Sequence, residues 1–123
     1  MTTCLFDMLP TRIPKKPKRA TRWRSQAHCN FVRSHNCCVS GCAGRPIQVA
    51  HVRIGSGAGM GQKPDDWRTV SLCEHHHDMQ HTIGEATFWN NFQKDPEALV
   101  AEFIKASPKR RDIEQAMRER GHV

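Results

Sequence analysis

The chain has 123 residues, enough for one small domain with a modest core. Its 19 Lys and Arg against 12 Asp and Glu give a formal charge of +7, which favours a polyanionic partner, nucleic acid before others. There is no apolar run of about 18 residues to cross a membrane, and the first residues lack the basic-then-apolar order of a secretory signal.

A cytoplasmic location is therefore expected. In a reducing compartment, 6 cysteines beside 8 histidines read as metal ligands and thiols rather than disulfides.

In chain order, LPTRIPKKPKRATRWR (9 to 24) combines seven Lys and Arg with three Pro and little that is apolar. Proline denies it a helix and charge denies it a core, so residues 1–23 are expected to be a basic arm. RSQAHCNFVRSH (24 to 35) has Ala27, Phe31 and Val32 at helical spacing. A turn-rich knuckle, NCCVSGCAGRP, follows. IQVAHVRI (47 to 54) alternates Ile47, Val49 and His51 on one face and predicts a strand. After a glycine-rich loop, WRTVSL reads as extended and a helix is predicted from about residue 71. GEATFWNNF and DPEALVAEFIKAS predict two more helices, the second with Leu99, Phe103 and Ile104 on one face and Pro96 in its first turn. PKRRDIEQAMRERGHV predicts a polar helix with a frayed end. The resulting division is an arm (1–23), a folded domain (24–106) and a polar C-terminal helix (107–123).

Gly55, Gly57, Gly59 and Gly61 suggest a nucleotide loop, but no two have the spacing of a phosphate-binding loop, and Gly61 precedes Gln62 rather than Lys. Pro64 also blocks the helix that a dinucleotide fingerprint needs. The loop reads as a connection between strands.

LCEHHHDMQH (72 to 81) carries more potential ligands than one ion can use. On a helix, Cys73 and His76 share a face, as do His77 and His81. Pairing Cys73 with His77 instead would leave His76 and His81 splayed by about 140°. The economical partition is Cys73 and His76 for one metal, His77 and His81 for another, with His75 facing solvent. A structural zinc needs two further ligands. Cys37 with Cys42 is the preferred pair, Cys38 with Cys42 the alternative. Such a site would staple the knuckle to the helix. His77 and His81, with open positions beside them, suit a catalytic divalent ion such as Mg2+ or Mn2+. His51, on the strand leaving the knuckle, is the candidate base.

This ordered set, FVRSHNCCVSGC, a strand carrying AH, a loop, LCEHHHDMQH and a trailing FW, resembles the HNH nuclease superfamily, whose core is a ββα-metal finger. It is most similar to zinc-stapled HNH-like proteins of phages and prophages. The resemblance spans about residues 24 to 92. It implies an α+β fold, a small HNH finger with a zinc knuckle flanked by helices, in a protein of a bacterial host cell. It also implies that His51 activates water while His77 and His81 hold the metal against the scissile phosphate. Two positions depart from the pattern: Ala50 stands where many HNH enzymes have a further metal ligand, and the Asn that orients the base has no counterpart. Asp65 or Asp66 can take either job, and Asp66 is the one assigned to the catalytic set.

The expected function is metal-dependent hydrolysis of DNA phosphodiesters in DNA processing or recombination, with a recombination protein as a further partner. Arg53, Lys63 and Arg68, with Lys15, Lys16, Lys18 and Arg19 of the arm, are the candidate phosphate contacts. The alternative is a non-catalytic, zinc-stabilised DNA-binding module. A metalloprotease reading of HDMQH fails because Asp78 is one methylene shorter than the Glu such a helix needs.

Overall fold

The computed structural model describes residues 22–57 and 63–120. The element order is α1 (Gln26–Arg33), β1 (Ile47–His51), β2 (Thr69–Cys73), α2 (Glu74–Ile83), α3 (Glu85–Asn91), α4 (Pro96–Ala106) and α5 (Arg110–Glu119). The fold is α+β, with one antiparallel pair of strands and a cysteine–histidine cluster at its edge. No helix among the described residues is long and apolar enough to cross a membrane.

Ser25 caps α1, its side chain accepting from the His28 N–H, and the helix buries His28, Cys29 and Val32. The strands pair in the register Ile47 to Cys73 through His51 to Thr69. β1 is shorter than the alternation over 47 to 54 predicts. Val52 N–H still donates to Arg68 O at 2.7 Å, but the chain then turns back, with Ser56 N–H donating to Arg53 O at 3.0 Å. Gly55 makes that turn at φ 74°, a conformation that side-chain-bearing residues rarely adopt.

The helix predicted from about residue 71 begins at Glu74 instead. Residues Thr69–Cys73 are all buried and paired with β1, and tertiary pairing overrides helical periodicity there. Cys73 ends the strand and caps the helix, its side chain accepting from the His76 N–H. The three-residue spacing therefore works through a cap rather than through a helix face.

Ala50, Val52, Val70, Leu72, Phe88, Trp89 and Val100 form the core, with Leu99, Phe103 and Ile104 of α4 packed against it. α5 is polar as expected but well tethered: Ile113 is fully buried, and Arg120 bonds Asp65 and lies 5.4 Å from the centre of the Trp67 ring. The basic-arm residues Lys15, Lys16, Lys18 and Arg19, and the glycines at 59 and 61, lie outside the described residues.

Candidate metal centre and adjoining basic cleft

The knuckle between α1 and β1 brings Cys37 and Cys42 to the end of β2 and the first turn of α2. Ligand atoms of Cys37, Cys42, Cys73 and His76 all lie within 4.8 Å of one another. His76 Nδ1 stands 3.5 Å from Cys37 Sγ, 3.4 Å from Cys42 Sγ and 3.2 Å from Cys73 Sγ, and the Cys42 and Cys73 sulfurs are 3.8 Å apart. Two thiolates bound at about 2.3 Å to one tetrahedral zinc stand roughly 3.8 Å apart, so this donor set fits the ion. Cys38, the alternative ligand, is turned to β2: its N–H donates to Ser71 O at 2.9 Å and its sulfur is 3.5 Å from Ser71 Oγ.

Burial pushes the Cys37 thiol up to about 11. The Gly44 N–H, followed by contacts with Cys37 and Cys73, lowers the Cys42 thiol. A divalent cation would hold all three as thiolates. Gly44 also admits the close packing here, because a Cβ on it would stand 3.0 Å from both Cβ and Sγ of Cys73. In the sequence this glycine is marked only by its place two residues after Cys42 and just ahead of β1. Rings of Phe92 and Phe88 pack edge-on to His76, 5.4 and 6.3 Å away.

On the neighbouring face the structure opens a cleft of about 940 Å³, lined by His51, Asp66, His77 and His81 among others. His51 Nε2 lies 3.0 Å from Asp66 Oδ1. Asp66 is held in turn by the Ser25 N–H at 2.8 Å and by the Arg24 guanidinium at 3.3 Å. Burial alone would raise the Asp66 carboxyl, but bonds from His51 and Ser25 and the Arg24 charge outweigh it and hold the carboxyl below its ordinary range. His51 is shifted down by burial, against the opposing pull of Asp66, so the ring is neutral at pH 7. An ionised carboxylate only accepts, which places the ring proton on Nε2 and leaves Nδ1 as the basic nitrogen. Asp65, the other candidate, is engaged elsewhere, accepting from the Trp23 N–H at 2.6 Å and from Arg120.

The rings of His77 and His81 are tilted 42° to each other, with centres 4.8 Å apart and Nε2 atoms 3.1 Å apart. Two nitrogens bound to one ion at about 2.0–2.1 Å stand roughly 2.9–3.4 Å apart, so this pair also fits a shared cation. Burial, with the neighbouring His81, lowers His77 and keeps it neutral. Adjacent on α2, His76 joins the cysteine cluster while His77 lines the cleft. His75 is exposed. Ala50 is fully buried against the core, so the position before His51 adds no ligand.

Among the predicted phosphate contacts, Arg53 and Lys63 line the cleft. Arg68 does not; its guanidinium bonds Glu97 and the carbonyls of Val52 and Ile54. Sharing a sequence neighbourhood with the loop placed it among the candidates, but its side chain braces the base of that loop against α4. Three further lining residues, Arg24, Arg33 and Gln48, were not singled out from sequence. Arg24 was counted only within a run of basic residues, and Gln48 is the one polar side chain ahead of His51 on β1.

The profile of the DUF968 family, described as a protein of unknown function, matches residues 7–116. The chain belongs to this family. No curated protein and no solved structure matches it. The DUF968 match takes in the knuckle, both strands and helices α1 to α4, and so contains both the cysteine cluster and the cleft. Its description assigns no chemistry, which leaves the site itself as the ground for a functional reading.

Proposed function

We propose that this DUF968 chain is a metal-dependent DNA endonuclease of the HNH type, with β1, β2 and α2 as its ββα-metal core and Cys37, Cys42, Cys73 and His76 holding a structural zinc. One observation carries the reading: a carboxylate-oriented histidine and a converging histidine pair line the same cleft as Arg24, Arg33, Arg53 and Lys63. General base, cation site and phosphate-binding charge are the parts that phosphodiester hydrolysis needs.

In this scheme His51 takes a proton from water through Nδ1, while Asp66 holds the ring's tautomer and stabilises the imidazolium that forms. The water oxygen forms its bond to phosphorus as the bond to the 3′ oxygen breaks. His77 and His81 would hold a divalent ion, whose chemistry there would be Lewis-acid stabilisation of the charge on the leaving oxygen. Arg53, Lys63 and Arg33 would neutralise flanking phosphates, as would the basic arm, while Arg24 stays on Asp66 and the Pro64 and Lys63 carbonyls. The wider setting, phage or prophage DNA processing with a recombination partner in the bacterial cytoplasm, belongs to the same reading.

The test is nicking of supercoiled plasmid by the purified protein across several divalent ions, with a chelator control. Metal-dependent conversion to open circles is expected. Binding without cutting in every ion would instead support a zinc-stabilised DNA-binding module, the reading favoured by the buried Ala50 at the position of a missing ligand.

A further inference from the structure

Helix α1 lines the cleft with Gln26 and Arg33. Gln26 Nε2 donates to Asn30 Oδ1 at 2.9 Å, and Arg33 Nη2 donates to the same oxygen at 2.6 Å. A carbonyl oxygen has two lone pairs, so Asn30 Oδ1 is fully used and neither amide can flip without losing a bond. Gln26 is exposed. It has spent one N–H and keeps the other together with its Oε1, which no other described group engages.

One free acceptor with one free donor on the same amide is the complement of adenine, whose N6 amino group donates and whose N7 accepts in the major groove. A helix of 8 residues is about 12 Å long, and its width is one that a major groove admits. Its placement against the reacting groups is fixed too. Ser25, the residue before Gln26, donates its N–H to Asp66 Oδ2 at 2.8 Å, and Asp66 Oδ1 lies 3.0 Å from His51 Nε2. On the buried side His28 Nδ1 stands 2.8 Å from Ser107 Oγ, which ties the helix to the turn between α4 and α5. With Arg33, Arg53 and Lys63 on the same cleft, the occupant that matches both the cations and the amide edge is duplex DNA, which presents phosphates and base edges together.

We infer that α1 gives the cleft a base preference: Gln26 makes a paired contact with an adenine at a set distance from the scissile phosphate, and Asn30 is the positioning residue for Gln26. The inference rests on the nuclease reading for its partner and adds sequence selectivity to it. Because Ser25 anchors the helix on the carboxylate that orients His51, the base that is read and the bond that is cut keep one register.

The experiment uses the zinc-loaded full chain carrying His51→Ala, so that DNA stays intact. Short duplexes randomised at their central positions are selected by binding, and the bound pool is sequenced. Adenine is expected to be enriched about tenfold at one position, the order of one good paired contact. Adding Gln26→Ala should level that position. Asn30→Ala should weaken the preference with Gln26 still present, and Asn30→Asp, which keeps an acceptor oxygen, should retain it. Lys63→Ala should lower affinity for every duplex and leave the preference in place. Replacing the preferred adenine by 7-deazaadenine, which lacks the N7 acceptor, should cost affinity where Gln26 is present and nothing in Gln26→Ala. Circular dichroism and zinc content check that each variant is folded. A flat base profile, or adenine enrichment undiminished in Gln26→Ala, overturns the inference. Wild-type nicking run in parallel separates the failures: nicking with a flat profile removes this inference alone, whereas adenine-selective binding without nicking in any ion keeps it and removes the nuclease reading.

Discussion

His51 Nε2 and Asp66 Oδ1 lie 3.0 Å apart, joining the end of β1 to the far side of the loop that leads into β2. The loop thus returns a carboxylate to the strand it left, and α1 secures it through the Ser25 N–H at 2.8 Å. On the proposed reading, this contact gives the two residues different duties, proton acceptor and orienting group.

Replacing His51 with Ala should abolish nicking while leaving fold and zinc content intact, because His51 sits at the cleft and not among the cluster ligands. Asp66→Asn should slow nicking by about 10²–10⁴-fold, the range over which a positioned base acts. Undiminished cutting by the pure His51→Ala protein would refute the base assignment.

Activity should fall as pH drops through the folded-state pKa of His51, which lies below its ordinary value of 6.5. The same sign governs stability. His51 and His28 are both depressed by burial, so below 6.5 the unfolded chain takes up protons first and stability declines. Asp66 is depressed from 3.8; its contribution is complete above that value and is lost as pH falls through the lower folded value. The melting temperature should therefore drop steadily from pH 6.5 downward, with zinc counted in the same samples. A flat profile between pH 7 and pH 5 would contradict it.

Zinc removal, or Cys42→Ser or Cys73→Ser, should unfold the domain. Structural zinc in small peptides contributes about 10–16 kcal/mol, against total stabilities of about 5–15 kcal/mol. Cys38→Ser should keep one zinc per chain, since Cys38 packs on Ser71 instead. Elemental analysis and far-ultraviolet circular dichroism decide both points.

Ala50→Asp, which would write a familiar HNH ligand into the chain, should destabilise it by roughly 3–5 kcal/mol, the cost of an uncompensated buried charge. Ala50 is fully buried among core side chains. A urea titration showing wild-type stability would mean that the position can turn towards the metal.

Arg53→Ala and Lys63→Ala should weaken DNA binding across sequences and each lower the salt slope by about 1. Arg68→Ala should leave that slope alone and destabilise the fold by about 1–3 kcal/mol, through the bonds lost to the Val52 and Ile54 carbonyls. Fluorescence anisotropy at several salt concentrations separates the two kinds of arginine.

Much of the site was legible in the sequence because ligand chemistry is local. Spacing within LCEHHHDMQH separated Cys73 and His76 from His77 and His81, and the knuckle supplied Cys37 and Cys42 by composition and loop length. Helices α1, α3, α4 and α5 followed from periodicity and end signals, which act within a few residues. What the tertiary structure decided was long-range. It extended β2 to Cys73 at the expense of a helical turn, because pairing with β1 outweighs local preference. It turned Cys38 onto Ser71, tied Asp65 to Trp23 and Arg120 while setting Asp66 against His51, and gave Arg68 a bracing role, since each depends on a neighbour distant in the chain. Gln48 shows the limit best: a glutamine on a strand says little until the fold sets its carbonyl against a histidine 29 residues further on.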